Sequence, residues 1–272
     1  MRFTICPFML ILIGLTLLSS TQVGAGVTPL TAGECASMQA DGVITSVNPV
    51  SCKRLCRVNF QYINFEGATA VGNIVVLDAV ADQMEAIFTE LFERRFPIHK
   101  SVVMENYQGN DEAAMMDNNT SAFNGRRMTE GSSWSKHAYG VAIDINPLQN
   151  PYISFSDDGH AKVLPAASAQ AYVNRNDLRS NKDTRTGMVE SVVEIFARHG
   201  FITWGGEWDS PIDYQHFEIG SGEFIQGLIK QTPDAARETF KRYAQSYRDC
   251  AAYSTETHSV KKRVACVEQV RK

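Results

Sequence analysis

Apolar and polar residues alternate along RVNFQYINF (57–65), the period-two pattern of a strand with one buried face. In GNIVVLDAVADQMEAIFTELFERRFPI (72–98) the period changes. The first six residues predict a short apolar strand. Val80, Met84, Ile87, Phe88 and Leu91 then recur at helical spacing, with Pro97 just past the end. SVVMENYQGNDEAAMMDNNTSAFNGRR (101–127) reads as a strand followed by an acidic, Asn-rich loop, and AIDINPLQNPYI (142–153) as a strand running into a turn with two prolines. PAASAQAYVNRNDLRSNKDTRTG (165–187) gives a weak helix and a polar loop, and MVESVVEIFARHGF (188–201) a second amphipathic helix that Gly200 is placed to end. ITWGGEWDSPIDYQHFEIG (202–220) is a Gly- and Trp-rich loop feeding a short strand, and residues 222–253 are mostly helical. Strands and helices alternate irregularly, without repeats and without a glycine-rich phosphate loop between a strand and a helix, which argues for α+β over a doubly wound sheet.

The amino-terminal pattern changes the picture of where the chain works. Arg2 precedes an apolar run from Phe3 to Leu18 and then small residues through Val23, Gly24 and Ala25, the order of a signal peptide with a cut after Ala25. The run is shorter than the ~20 residues a membrane span requires, so an exported protein without a stable membrane span is expected, in the periplasm or cell envelope or secreted. Losing Arg2 takes the formal charge from −4 to −5, and no basic stripe with interleaved aromatics speaks for nucleic acid. Residues 232–272 are locally basic, with nine Lys or Arg against five Asp or Glu, which reads first as a solvated helix face and second as a surface for anionic wall or membrane. Five cysteines remain after residue 25, namely Cys35, Cys52, Cys56, Cys250 and Cys266. Export makes them disulfide candidates, Cys250 with Cys266 as the staple of a C-terminal helical hairpin, and the odd count leaves one thiol over.

Candidate chemistry concentrates in SSWSKHAYGVAIDINP (132–147). On a strand, Val141, Ile143 and Ile145 share one face while Ala142 and Asp144 share the other. Gly140 permits the tight turn that would fold His137 back toward Asp144. A catalytic zinc takes three protein ligands and keeps one position open for water. His216 in DSPIDYQHFEIG supplies a third donor, and Asp213, three residues earlier, supplies a carboxylate able to take a proton from an attacking water. Read from the residues alone, a hydrogen-bonded core histidine remains an alternative to a metal ligand.

Ser135, His137, Gly140, Ala142 and Asp144 match the S-x-H-x-x-G-x-A-x-D motif of the zinc peptidases that cut peptidoglycan stem peptides, and Asp213 with His216 match their second motif. FNGR, INPLQNPY and GFITWGGEW resemble the same family, so the likeness covers about residues 85–220. These are the D-alanyl-D-alanine carboxypeptidases and L-alanyl-D-glutamate endopeptidases. The resemblance implies a small central antiparallel sheet flanked by helices, with the zinc cleft on the sheet, as in the hedgehog and D,D-peptidase folds. It implies one Zn2+ on His137, Asp144 and His216, Asp213 as general base, and Arg126 holding the scissile carbonyl or its oxyanion, with Arg127 as a competing neighbour. Ser135 would hydrogen-bond the substrate or orient a ligand, and Trp204 and Trp208 would line the substrate cleft, with aromatic core packing as the alternative. Glu207 and Glu218 are expected to be supporting residues, and His99, His160, His199 and His258 surface or capping ones.

The expected organisation is a signal peptide over 1–25, a leader and start of scaffold over 26–84, a catalytic domain over 85–221 and a helical extension over 222–272. A monomer acting on a peptidoglycan stem peptide, with no nucleic-acid partner, is the leading expectation. A noncatalytic zinc-stabilised wall-binding or signalling module is the alternative. Asp at position 213 leans toward the endopeptidase branch.

Overall fold

The structure, a computed structural model, describes Met1, residues 25–128 and residues 131–271. The expected signal segment therefore lies almost entirely outside the described residues. Strand β1 (Gly26–Pro29) edges a hairpin of β2 (Leu55–Ile63) and β3 (Thr69–Leu77), which pair antiparallel from Leu55 opposite Leu77 to Ile63 opposite Thr69. The alternation read at 57–65 is the reason. Val58, Phe60 and Tyr62 are buried on one face, and Gln61 is exposed on the other. Helix α1 (Ala32–Ala40) opens with a Thr31–Glu34 capping box and is tied to the start of β2 by a Cys35–Cys52 disulfide. Helix α2 (Ala81–Glu93) buries Met84, Ile87, Phe88 and Leu91, as its spacing predicts, and Phe88 stacks on Phe60.

The segment read as a strand at 101–104 joins no sheet. Val102 N–H donates to Asn119 Oδ1 (2.9 Å), and Asn119 Nδ2 donates back to the Val102 carbonyl (3.0 Å). A side-chain amide thus takes the place of a neighbouring strand and satisfies the backbone without a ladder. The expected loop beyond it contains helix α3 (Asp111–Met116), capped by Asn110, whose side chain accepts from Ala113 N–H (3.0 Å).

The remaining strands are short. β4 (Ala142–Asp144), β5 (Tyr152–Phe155), β6 (Ala161–Leu164), β7 (Thr203–Trp204), β8 (Ile212–Asp213) and β9 (His216–Glu218) form two antiparallel sheets, ordered β4-β9-β7 and β6-β5-β8. In place of one central sheet there are three small ones among the described residues. The chain leaves β4 at Asn146, which takes a positive φ of 45°. Asn150 then ties the turn down by donating to the carbonyls of Ile145, Asn146 and Gly187.

Helices α4 (Val193–Arg198), α5 (Gly222–Lys230), α6 (Pro233–Tyr253) and α7 (Ser259–Val270) complete the chain. Gly200 follows α4 with φ +88°, and a Cβ there would meet the Phe240 ring of α6 at 2.8 Å. A Cys250–Cys266 disulfide joins α6 to α7, and among the described residues Cys56 is a buried free thiol. The expected division at 84/85 falls inside α2. One hydrophobic cluster runs from Met38 to Val270, and Leu77 N–H donates to the Gly140 carbonyl (2.9 Å), so leader, site and C-terminal helices share a core. Among the described residues no helix is long and apolar enough to cross a membrane.

Candidate metal centre

His137 stands on a 3-10 turn, Lys136–Tyr139, whose two ends explain the spacing of the first motif. Ser135 caps the start, its hydroxyl accepting from His137 N–H (3.3 Å). Gly140 ends it with φ +69°, and a Cβ there would lie 2.6 Å from Leu77 N, so only glycine lets the turn press against β3. β4 follows. Val141, Ile143 and Ile145 are fully buried toward the core, and Asp144, on the other face, is 4% exposed. In the β4–β9 register Asp144 stands opposite His216, and Ala142 opposite Glu218. Directly opposed residues share a face, so strand pairing alone brings the carboxylate and the second imidazole together.

The three side chains close a triangle. His137 Nε2 lies 3.2 Å from His216 Nδ1 and 3.3 Å from Asp144 Oδ2, and His216 Nδ1 lies 3.1 Å from Asp144 Oδ1. Tetrahedral bonds of about 2.0–2.2 Å to zinc place ligand atoms about 3.3–3.6 Å apart, close to these edges. The outward nitrogen of each ring is also fixed. His137 Nδ1 lies 2.6 Å from the Ala122 carbonyl, and His216 Nε2 lies 3.0 Å from Glu218 Oε2. Each of those nitrogens carries the hydrogen, which leaves the other lone pair of each ring facing inward. His137, Asp144 and His216 thus form a buried group that could hold a metal ion.

The electrostatics fit the same reading. Burial alone would raise the Asp144 pKa, but the charge of His137 and hydrogen bonds from both histidines pull it well below the usual carboxylate range. Burial opposes protonation of His216, yet its bonds to Asp144 and Glu218 raise its pKa well above the ordinary value. The metal-free triangle thus favours positive charge in the place a divalent cation would take.

Asp213 ends β8, whose pairing with β5 sets it opposite Tyr152. Its Oδ1 is buried without a hydrogen-bond partner among the described residues. Burial first, and then the negative charge of Asp144, push its pKa up to about 7. Gly205 makes this placement possible, since a Cβ there would fall 2.5 Å from the Asp213 carbonyl oxygen.

Arg126 is ion-paired to Asp111 (2.6 Å), and its carbonyl accepts from Ser135 N–H. The negative charge of Asp111 adds, as a minor contribution, to the raised pKa of Asp213. Arg127 is engaged elsewhere, its guanidinium 4.4 Å over the Trp134 ring. The Trp208 ring lies 5.4 Å from that of His216. Trp204 instead packs into the fold, stacked on Phe217 and donating from Nε1 to the Tyr214 carbonyl (2.8 Å). Of the other histidines, His199 bonds Gln83 and Glu90, and His258 caps α7. Asp111, Gly205 and the Ala122 carbonyl escape sequence reading. Only the placement of Asp111 in an acidic loop before FNGR hints at its role.

Residues 129–219 match the D-alanyl-D-alanine carboxypeptidase family model. The resemblance read from the two motifs is thus borne out over a third of the chain, a span that holds His137, Asp144, Asp213 and His216. The matched span starts later than the expected residue 85 and excludes Asp111 and Arg126. No curated protein and no solved structure matches the chain.

Proposed function

We propose that this chain is an exported zinc metallopeptidase that hydrolyses an amide bond in peptidoglycan stem peptides, as a D-alanyl-D-alanine carboxypeptidase or an L-alanyl-D-glutamate endopeptidase. The observation that carries the reading is the convergence of His137 Nε2, Asp144 and His216 Nδ1 within 3.1–3.3 Å, with an unpartnered Asp213 oxygen buried close by. Those three residues would hold one Zn2+, which when bound supplies Lewis acidity toward a carbonyl and lowers the pKa of water. Asp213 takes the proton of the attacking water and returns it to the leaving amine. Arg126 faces the charge that develops on the carbonyl oxygen, with Asp111 holding its guanidinium in place. Trp208 forms a wall of the peptide cleft beside His216. Ser135 acts by fixing His137, since its hydroxyl is engaged with that turn.

Export of a monomer fits two disulfides among the described residues. A noncatalytic zinc-stabilised module would need the triangle but not Asp213. The unpartnered carboxylate oxygen, costly to bury without a use, favours the enzyme. Mass spectrometry of muropeptides after digestion tests the reading. Loss of terminal D-alanine assigns a carboxypeptidase, and cleavage beside the sugar-linked L-alanine an endopeptidase. Unchanged muropeptides after incubation with zinc-loaded protein would favour the binding module.

A further inference from the structure

The C-terminal helices meet the turn beside Asp213 through Arg263, which lies outside the family-matched segment, and Glu207, which lies within it. Arg263 of α7 is 7% exposed, and its Nη2 donates to Glu207 Oε1 at 2.5 Å. No second hydrogen-bond partner holds that guanidinium among the described residues, and its Nη1 is buried unpaired. Glu207 closes the 3-10 turn Gly205–Glu207. At one end of this turn Gly205 lies against Asp213, where an added Cβ would be 2.9 Å from the Asp213 Cβ. Just past the other end, the Trp208 ring lies 5.4 Å from His216. The mount behind Arg263 is firm. Cys266, one turn further along α7, is disulfide-bonded to Cys250 of α6, and Cys266, Val267 and Val270 are buried in the core. A buried guanidinium with a single carboxylate partner is costly to unpair, so the ion pair couples helix and turn tightly.

We infer that Arg263 is a positioning residue: through Glu207 it holds the turn Gly205–Glu207, and with it Asp213 and Trp208, in place at the metal centre, with the disulfide-linked α6–α7 pair as its mount. The inference rests on the peptidase reading of Asp213 and gives the C-terminal extension a task in that reaction. The test compares full-length, zinc-loaded Arg263→Ala, Arg263→Lys, Glu207→Gln and Asp213→Asn proteins on one stem-peptide substrate. Tryptophan emission is recorded in parallel on the metal-free forms and assigned with Trp208→Phe. Arg263→Ala and Glu207→Gln are expected to lower kcat about ten-fold or more through misplacement of the turn. KM and zinc content change little, the Trp208 emission shifts, and Arg263→Lys recovers most of the loss. Should Arg263→Ala fail to fold, Glu207→Gln, altered on an exposed side chain, carries the same readouts. Wild-type kcat and Trp208 emission in the folded variants, alongside lost turnover in Asp213→Asn, would overturn the inference and leave the peptidase reading standing. Full turnover in Asp213→Asn would overturn the peptidase reading instead, and unshifted emission in the metal-free variants would still refute the hold on the turn.

Discussion

Asp213 is the one carboxylate of the centre with an unpartnered buried oxygen, and its ionisation leaves a mark on stability. In the metal-free protein its pKa is about 7, against about 3.9 in an unfolded chain. Between those values the folded state keeps a proton that the unfolded state has lost. Its contribution to stability is therefore fully present below about pH 4 and is lost as the pH rises toward about 7. Asparagine does not titrate, so the stability of metal-free wild type relative to Asp213→Asn, measured by denaturant unfolding, is expected to fall across that window. A difference that stays flat with pH would contradict the placement of this carboxylate. The candidate ligands His137, Asp144 and His216 and the candidate base Asp213 could be picked out in the sequence because the two family motifs hold those side chains at fixed spacing, and the structure brings the first three together as a group that could hold a metal ion. The Ala122 carbonyl was not legible, because any residue has one, and Asp111 was not, because its pairing with Arg126 spans a fold the sequence does not display.

At the scale of elements, the centre is a product of strand register. The pairing of Asp144 with His216 sets two candidate ligands opposite each other, and the next same-face position of β9 carries Glu218, which holds the outward nitrogen of His216. Glu218→Ala is expected to weaken zinc binding about 10–100-fold while leaving all three ligands present. Competition with a chromophoric chelator measures this, and unchanged affinity would remove Glu218 from the account. Period was a good guide where burial is one-sided and long, as in β2 and α2. It failed at 101–104, where Asn119 supplies the hydrogen bonds of a missing strand, and at α3, whose six residues are too few to display a helical period. The separation into three sheets was likewise hidden, since strands of two or three residues such as β4, β7, β8 and β9 are too short to display a period.

At the scale of the molecule, the candidate metal centre stands on a core that extends beyond the matched segment on both sides. β3 supports the His137 turn through the Leu77–Gly140 bond and accepts from Phe123 at Val75 (3.0 Å), and the buried faces of α6 and α7 join the same cluster. The expected division at 84/85 follows the position of the motifs, whereas contacts between distant segments, such as the Leu77–Gly140 bond across it, leave no local pattern in the sequence. A fragment of residues 85–221 is accordingly expected to remain unfolded by circular dichroism and to bind no zinc at a concentration that saturates the full chain. A folded, zinc-binding fragment would show the flanking segments to be dispensable. We propose that the buried triangle, holding a metal ion, and the carboxylate beside it cleave a stem-peptide amide. Turnover of a stem peptide by wild type and by Asp213→Asn, compared at equal bound zinc, addresses it most directly. The expected result is hydrolysis by wild type and a loss of about 10²–10⁴-fold in the variant, whereas equal rates in the two proteins, or no hydrolysis by zinc-loaded wild type, would contradict it.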